Sequence, residues 1–404
     1  MARALMIAYT TYVHDARVKR HAQALAERGD QVDLLCLQNP QQGFDRGVNV
    51  IGLQIRRYRG SSRASYLRSY LRFFAAATIQ AAVLSRRHRY DFAVVCTMPD
   101  LAVLCALPVR LMGSKLLLDV HDTMPELYRD KFGGRRGALG AKLLHLEERV
   151  SAGLADRVLA VHEPHRQRLI AAGIAAHKIS VVLNVPDPRI FAPLVRPVYE
   201  RERFTIVCHG TMAPRLGVEL AIEAIARLRE RLPTVRLRLI GGGNYVDGLR
   251  QRVNQRGLAP WIEFHAPVPL EQLPELLNEA DVGLVPNRKS SATDLMLPVK
   301  LMEYVALGIP VIAARLHTIQ YYFDDQAVRF FAPGDADGLA AAIAELHARP
   351  ALRQSLAERA CTVLRRVNWS VQRERYYEAI DSLFPNRRIN AVPAPSEERR
   401  VYVE

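Results

Sequence analysis

Short apolar runs alternate with amphipathic segments along almost the whole chain. The runs that predict strands are ALMIAY, QVDLLCL, DFAVVC, KLLLDV and RVLAV in the first half, and FTIVCHG, VRLRLI, DVGLV and PVIAA in the second. Between them, segments such as residues 18–28 and 218–231 carry apolar residues at helical spacing. Continuous apolar runs are typical of parallel strands that are buried on both faces. The pattern predicts an α/β fold with doubly wound parallel sheets.

The alternation is interrupted once, near the middle of the chain. Residues 184–203 contain four prolines and many charges, a composition typical of an interdomain linker. A chain of 404 residues is also too long for one ordinary core. We therefore expect Rossmann-like domains at residues 1–190 and 200–368, followed by a helix at 369–385 and a loose polar tail at 386–404.

Composition adds one strong constraint. The formal net charge of +15 indicates an anionic partner, which is nucleic acid, a phosphorylated ligand or an anionic membrane surface. The five cysteines are scattered without metal-ligand spacing, which favours buried thiols in a reducing cytoplasm. The N-terminal apolar run is too short for a signal peptide.

Residues 56–89 form a basic segment with nine arginines and no acidic residue. Its centre predicts a helix with aromatic and leucine side chains on one broad side, and Arg68 and Arg72 elsewhere. The apolar part is well short of the ~20 residues that a spanning helix needs. Two interpretations stay open: a helix lying on anionic lipid, and a helix packed on the sheet with solvated arginines. Nucleic-acid binding is disfavoured because no recognition motif accompanies the charge.

The stretch LPVKLMEYVALGIPVIAA predicts a short helix followed by a buried strand. Pro298 suits the first helical turn, and Gly308 suits its C-terminal stop. Lys300 and Glu303 lie three residues apart, on one face near the positive end of this helix. Such an end binds phosphate, and a carboxylate one turn further along can accept hydrogen bonds from two vicinal hydroxyls. A solvated ion pair is the alternative, but the apolar flanks argue against it.

Glycines at strand ends mark a second group of candidates. Gly210 ends an apolar run and is followed by a loop with Arg215, whose guanidinium suits a diphosphate. Taken alone, this segment is better explained by a βα turn with an exposed arginine. The stretch IGGGNY at residues 240–245 does not complete a dinucleotide fingerprint, because Val246 occupies the position of the last glycine.

A third group follows a buried strand in the first half, in LDVHDTMPE. His121, Asp122 and Glu126 lie beyond the carboxyl end of the strand, where α/β sheets build their sites. His121 suits contact with a sugar or hydroxyl, and the two acids suit orientation or proton acceptance. A structural histidine is the alternative.

These segments together resemble a known family. HGTMAPRLGVELAI, VGLVP, LPVKLMEYVALGIPVIAA and NWS resemble the donor domain of a retaining family-4 glycosyltransferase of the GT-B fold, in a branch with a P-x-K-L-x-E-Y motif. In the first half, YVHDARVKRHAQALAERGDQVDLLCL, TMPDLAVLCALPVRLMGSKLLLDVHDTMPELYRDKFG and VLNVPDPRIF resemble its acceptor domain. The resemblance spans residues 3–385.

The resemblance implies two Rossmann-like domains that face a cleft, and a UDP- or GDP-linked sugar as donor. Glu303 would hold the ribose, and Arg215 and Lys300 would hold the diphosphate and neutralise it as it leaves. Independence from metal is expected, without other cofactors. The implied donor-binding residues are Gly210, Arg215, Asp294, Lys300, Leu301 and Glu303. Two departures from the family pattern leave the contacts to the donor sugar open. Leu295 stands where family members often carry an acid, and the adjacent Asp294 is a candidate to take over its role. Leu216 stands where they commonly carry a lysine.

On the acceptor side, the resemblance implies His121 as a catalytic residue beside Asp122 and Glu126. Asp15 and Arg17 would face the cleft, with helix capping as the alternative. The helix at residues 369–385 would cross back to the first domain. We interpret the single D-x-D, at Asp335 and Asp337, as a helix start and not as a metal site.

The expected protein is a cytoplasmic hexosyltransferase on the inner face of the cell membrane. In polysaccharide or cell-surface glycan synthesis, it would move a hexosyl unit from a nucleotide sugar to a glycan acceptor. A lipid-linked saccharide is the preferred acceptor, because it would explain the basic helix. Its partners would include an anionic membrane surface, contacted through residues 56–89, and no nucleic acid. The alternatives are a nucleotide-sugar epimerase of GT-B shape and a non-catalytic membrane-bound scaffold.

Overall fold

The chain divides into two compact units in a computed structural model, which describes residues 1–39, 43–56, 58, 63–97, 100–193 and 203–385. The first unit comprises Met1–Asp122, Leu143–Val182 and the chain from Arg373, and the second comprises Thr123–Lys142 and Leu183–Gln372. Residues 123–142 therefore group with the second unit, although we placed them in the first domain. Nine residues of the expected linker, 194–202, and the tail at 386–404 lie outside the described residues.

The first unit contains an eight-stranded sheet in the order β3-β4-β2-β1-β5-β6-β7-β8. All described neighbours are parallel except β3 and β4, which are antiparallel. The strands are β1 (Arg3–Ala8), β2 (Gln31–Cys36), β3 (Gly43–Asp45), β4 (Val48–Gly52), β5 (Phe92–Cys96), β6 (Lys115–Val120), β7 (Arg157–Ala160) and β8 (Ile179–Val181). The helices up to this point of the chain are α1 (Ala16–Glu27), α2 (Arg63–Arg87), α3 (Leu107–Leu111), α4 (Met124–Phe132), α5 (Gly134–Leu154) and α6 (Glu163–Ala171).

The second unit contains a six-stranded parallel sheet in the order β11-β10-β9-β12-β13-β14. Its strands are β9 (Phe204–Thr211), β10 (Val235–Gly242), β11 (Ile262–His265), β12 (Val282–Val285), β13 (Val311–Ala314) and β14 (Arg329–Phe331). The remaining helices of the chain are α7 (Val218–Leu228), α8 (Val246–Gln255), α9 (Leu273–Leu277), α10 (Ser291–Asp294), α11 (Val299–Ala306), α12 (His317–Tyr322), α13 (Ala336–Ala348), α14 (Pro350–Arg366) and α15 (Trp369–Asp381), of which α15 passes into the first unit at Arg373. Because every strand is parallel, the loops beyond their carboxyl ends lie along one edge of this sheet.

The expected α/β class with two parallel-sheet domains is confirmed, and each of the apolar runs forms a strand. The strands that the sequence did not predict are β3, β4, β8, β11 and β14, which have between three and five residues. Runs of this length carry too little periodicity to separate a strand from a loop.

The first sheet is covered by helices on both faces. One face packs against α2, through the buried side chains of Phe73, Ala77 and Ala81. The other packs against α1 and against the end of α15, whose Tyr376 and Ile380 join the same core cluster. The helix that begins at Trp369 thus contributes its second half to the core of the first unit.

Helix α2 has two different faces. The helix has 25 residues and lies within the segment whose centre is predicted to be helical. Its stripe of buried side chains shows that one face packs on the sheet. On another face Leu67, Leu71 and Ile79 are 60%, 56% and 63% exposed. Among the described residues, no helix is long and apolar enough to cross a membrane.

Candidate functional site

The carboxyl end of β9 presents bare backbone. Gly210 has a φ of +103°, and a Cβ added at Gly241 on the neighbouring strand would lie 2.0 Å from the Gly210 carbonyl oxygen. A Cβ added at Gly243 would lie 2.4 Å from the carbonyl oxygen of Met212. These strand ends therefore approach each other more closely than any residue with a side chain permits.

Helix α11 brings Lys300 and Glu303 to this strand end. Pro298 precedes its first residue, and Gly308 follows its end with a φ of +71°, as the sequence predicts. The Lys300 Nζ lies 3.7 Å from the Cys208 Sγ, and the Glu303 Oε2 lies 2.7 Å from the Nε2 of His209. Both side chains thus contact the last residues of β9. His209 was missed by the sequence analysis, because its proximity to Glu303 depends on the pairing of distant segments.

Arg215 lies in the loop that connects β9 to α7. Its guanidinium is exposed, and its carbonyl oxygen accepts the backbone N–H of Arg288 at 3.0 Å. Gly217 follows in the left-handed region, with a φ of +64°, and a Cβ there would lie 2.0 Å from the Pro286 carbonyl oxygen. The Arg288 Nε also lies 2.5 Å from the Glu219 Oε1 at the start of α7. The loops after β9 and β12 are therefore tied together, and they place two arginines at the edge that carries Lys300.

Two expected donor residues have structural partners. Asp294 Oδ1 accepts the backbone N–H of His317 at 2.9 Å, so that this carboxylate caps the start of α12. The Leu301 side chain is fully buried, and its N–H donates to Pro298 at 3.0 Å. Asp294 and Leu301 are thus engaged in structural contacts, whereas the Arg215 side chain is exposed.

In the first unit, the buried carboxylate of Asp119 is the centre of a cluster of cationic and imidazole groups. The Arg17 guanidinium lies 2.6 Å away, His121 Nε2 lies at 3.0 Å and His21 Nδ1 at 3.3 Å. Burial opposes ionisation of Asp119, but Arg17 and His121 hold its pKa well below the usual range. Burial lowers the pKa of His21 to about 4, so this imidazole is neutral at pH 7.

The position of Arg17 corrects an expectation. We expected Arg17 to face a cleft, but it is 4% exposed and bonded to Asp119 and to the carbonyl oxygen of Val182. Asp119 itself was missed. Its signal in the sequence is a carboxylate two residues before His121 inside an otherwise apolar strand, which places both side chains on one face.

A polar cavity of about 150 Å³ opens at the carboxyl ends of β1, β5 and β6. Its lining comprises Ala8, Tyr9, Thr10, Asp15, Val18, Tyr70, Cys96, Thr97, His121 and Asp122. Asp15 also caps α1, because its Oδ1 accepts the Val18 N–H at 3.1 Å. Both roles considered for Asp15 are thus compatible with its place. Tyr70 belongs to α2, so the basic helix forms one wall of this cavity.

The expected acceptor residues are divided between the units. His121 and Asp122 belong to the first unit and line the polar cavity. Glu126 lies in α4, which belongs to the second unit, and its side chain is buried.

Cys96, Asp119 and His121 form a group close enough to hold a metal ion, with their candidate ligand atoms within 4.8 Å of one another. Their chemistry does not fit one. Both carboxylate oxygens of Asp119 are bonded to Arg17, and burial raises the pKa of the Cys96 thiol well above its usual value.

In the second unit, Asp335 accepts the N–H groups of Asp337 and Gly338 at the start of α13, so the D-x-D sequence begins a helix. The five cysteines are free thiols, and all but Cys361 are buried.

Comparison with known proteins defines the class. Residues 15–185 match the family described as "Glycosyl transferase 4-like domain", and residues 203–349 match "Glycosyl transferases group 1". The structure is similar to that of Anabaena HepE in complex with UDP and glucose, with a TM-score of 0.71, 18% identity, and coverage of 95% of this chain and 100% of that one. The fold is therefore that of GT-B glycosyltransferases, with two parallel-sheet α/β domains.

Curated relatives narrow the class further. The chain is 30% identical over 168 residues to the GDP-mannose-dependent alpha-(1-6)-phosphatidylinositol monomannoside mannosyltransferase of Mycolicibacterium smegmatis, covering 41% of this chain and 44% of that protein. It is 31% identical over 165 residues to the putative colanic acid biosynthesis glycosyltransferase WcaL of Escherichia coli, covering 40% of each. The chain thus matches less than half the length of these relatives. Two glycosyltransferase models thus match the two halves of the chain, so the protein is a glycosyltransferase whose sequence resembles family 4.

Proposed function

We propose that this protein transfers a hexosyl unit, with retention of configuration, from a nucleotide-diphosphate sugar to a lipid-linked glycan acceptor. The observation that carries the proposal is the convergence of Lys300 and Glu303 on the end of β9, beside Gly210. The names of relatives support it, because one uses GDP-mannose and acts on a phosphatidylinositol mannoside. The HepE complex holds UDP, so the base stays open between the two.

In the proposed reaction, Arg215 and Lys300 bind the diphosphate. Their charges stabilise the negative charge that develops as the bond between the anomeric carbon and the diphosphate oxygen breaks. The acceptor hydroxyl then bonds to the anomeric carbon on the same face, and its proton passes to the departing diphosphate. Glu303 accepts hydrogen bonds from the ribose hydroxyls, and His121 contacts the sugar or the acceptor hydroxyl. No metal ion takes part in this scheme.

The polar cavity of the first unit suits the acceptor. Its lining combines aromatic rings, hydroxyls and carboxylates, which together recognise sugar faces and sugar hydroxyls. We place the acceptor saccharide there, with Asp15, His121 and Asp122 as its polar contacts. Glu126 and Arg17 are excluded from direct contact in this assignment, because both are buried.

The exposed face of α2 suits a membrane surface. Leu67, Leu71 and Ile79 offer apolar area, and Arg68 and Arg72 on the same helix are exposed. Apolar side chains beside arginines bind the interface of an anionic bilayer. We therefore place the protein on the inner face of the cell membrane, where a lipid-linked acceptor would be presented to Tyr70 and the cavity.

The test measures the mass and the sugar identity of the products after incubation with UDP- and GDP-hexoses, each with and without a lipid-linked saccharide and with and without EDTA, and nucleotide binding by thermal shift. We expect acceptor-dependent product with one donor, insensitive to EDTA. A product formed without any acceptor would identify an epimerase. Nucleotide binding without turnover in any arm would identify a scaffold.

A further inference from the structure

The Glu303 carboxylate is held through one of its two oxygens. Its Oε2 lies 2.7 Å from the His209 Nε2, and the Glu303 and His209 side chains are 11% and 6% exposed. Among the described residues, the Glu303 side chain makes no other hydrogen bond or ion pair, so its second oxygen is free for a ligand. A buried glutamate would otherwise have several rotamers available, of which only some can meet a ribose.

His209 is in turn fixed by the next residue of α11. Its backbone N–H donates to the Tyr304 hydroxyl at 3.1 Å, and its Nδ1 lies 2.9 Å from the same oxygen. The two rings are perpendicular, with centroids 4.9 Å apart. Glu303 and Tyr304 are adjacent on the helix and leave it in different directions, yet His209 contacts both. The imidazole is therefore held at each nitrogen.

The protonation of this chain follows from its buried members. Burial raises the pKa of Tyr304 well above its usual value, so the hydroxyl keeps its proton and must donate it. Its possible acceptors are the His209 Nδ1 at 2.9 Å and the Val207 carbonyl oxygen at 3.3 Å. Donation to the nearer Nδ1 leaves the imidazole hydrogen on Nε2, where it points at the Glu303 carboxylate.

Gly283 on β12 makes room for this arrangement. A Cβ added there would lie 2.4 Å from the Tyr304 ring. The fully buried ring occupies the volume that any other residue at position 283 would fill. The chain Tyr304–His209–Glu303 thus depends on a strand position that is distant from any ligand.

We propose that His209 and Tyr304 are positioning residues that orient Glu303, and so determine how strongly the site prefers ribonucleotides over their deoxy forms. This inference rests on the proposed function, because it assigns a ribose to Glu303. A carboxylate fixed in one rotamer forms both ribose hydrogen bonds without first losing conformational entropy. A carboxylate released from His209 pays that cost only when it binds the ribose hydroxyls, so ribonucleotides lose more affinity than their deoxy forms and the ratio falls.

Two substitutions of similar size separate the contacts of His209. In His209→Gln the side-chain amide reaches the position of Nε2 and can donate to Glu303. In His209→Asn the shorter amide reaches only the position of Nδ1, beside Tyr304. Both keep a polar group in the site, and thermal melting checks that each variant folds. Tyr304→Phe, which removes the hydroxyl and keeps the ring, serves as a further variant if either fails to fold.

The measurement is calorimetric affinity for UDP and GDP and for their 2′-deoxy and 3′-deoxy forms. We expect wild type to prefer the ribonucleotide by about tenfold or more, since each lost hydroxyl leaves a charged acceptor unpaired. His209→Asn should reduce this ratio towards that of Glu303→Ala, and His209→Gln should restore most of it. Lys300→Ala should weaken all ligands alike and leave the ratio unchanged.

The possible failures are distinguishable. A ratio in His209→Asn equal to that of wild type, with nucleotide still bound, overturns the positioning role and leaves the proposed function intact. A wild-type protein that binds none of the nucleotides overturns the proposed function and this inference with it.

Discussion

At the scale of single residues, the charged side chains of the two units differ in what their surroundings allow. Asp119 and Arg17 neutralise each other in the interior, so they stabilise the first unit and have no capacity left for a ligand. Arg215 is exposed in its loop, and the Lys300 ammonium contacts the Cys208 sulfur and has no ion pair among the described residues. This difference in pairing, more than residue type, separates candidate ligand-binding cations from structural ones.

Loss of either cation should weaken diphosphate binding selectively. We expect Lys300→Ala and Arg215→Ala each to weaken binding of UDP or GDP by about 10- to 100-fold, because charge-assisted hydrogen bonds contribute about 1.5–3 kcal/mol. Binding of the uncharged nucleoside should change by less than about threefold. Titration calorimetry compares the ligands, with Arg359→Ala on the exposed side of α14 as the control. Equal losses for nucleoside and nucleotide would contradict the diphosphate role.

A pH-dependent stability is expected from Asp100. Burial and the nearby Glu148 and Glu147 raise the pKa of this carboxyl to about 8. Since the folded pKa is raised, the native state binds the extra proton, and the resulting stability is lost as pH rises from about 4 through 8. The melting temperature of Asp100→Asn relative to wild type should therefore be several degrees higher at pH 8.5 than at pH 5. The variant is compared by calorimetry at both pH values. A constant difference between the two curves would contradict this assignment.

At the scale of elements, one helix can serve two surfaces. The stripe of Phe73, Ala77 and Ala81 packs on the first sheet, while Leu67, Leu71 and Ile79 remain exposed. The sequence showed that α2 was amphipathic and basic, but could not show which apolar residues the sheet would cover. A broad apolar side of 100° or more is compatible with several orientations of the helix.

Membrane binding should depend on the exposed arginines of α2. We expect Arg68→Ala with Arg72→Ala to reduce binding to vesicles containing anionic lipid by about 30-fold, since each basic side chain contributes about 1 kcal/mol at such a surface. Sedimentation with vesicles measures this partition. Substitution of Arg359 and Arg366 on α14, which are also exposed, should have little effect. If all variants sediment alike, α2 is a packing element alone.

The turn before α7 should not tolerate a side chain. In Gly217→Ala, a φ of +64° and a Cβ 2.0 Å from the Pro286 carbonyl oxygen act together, and we expect a loss of about 2–4 kcal/mol in the free energy of unfolding. Gly248→Ala within α8 meets no atom closer than 3.9 Å and should gain about 0.5–1 kcal/mol. Urea unfolding compares the two. Similar free energies of unfolding for the two variants would show that the turn at Gly217 can relax.

At the scale of the whole molecule, sequence order and compact units do not coincide. The first unit is completed by the chain from Arg373, and the second includes residues from the first half of the chain. The end of α15 is fixed in the first unit by Tyr376 stacked on His21 at 4.4 Å, and by Asp381 bonded to Arg28 at 2.8 Å. The C-terminal helix is thus part of the core of the first unit.

Tyr376 should be needed for the stability of the first unit. Its ring is fully buried, and its hydroxyl has no hydrogen-bond partner among the described residues. We expect Tyr376→Ala to cost about 3–5 kcal/mol, and Tyr376→Phe to lie within about 0.5 kcal/mol of wild type or above it. Hydrogen exchange of peptides from β1, β2 and β5 provides the measurement. A large loss in Tyr376→Phe would show that the hydroxyl has a partner after all.

The sequence by itself determined the class of the fold, most strands, and the place of Lys300 and Glu303 at the start of α11. These features follow from the order of residues within about 20 positions, because strand burial, helix capping and spacing on one helix face are local properties. The resemblance to family 4 rested on the same local stretches.

Only the tertiary structure decided the partners of those residues. His209 meets Glu303 across 94 positions of the chain, and Arg17 meets Asp119 across 102. Whether a charge is paired in the interior or left free for a ligand depends on which distant segments the sheets bring together. That pairing is set by the packing of the whole unit, and no local pattern records it.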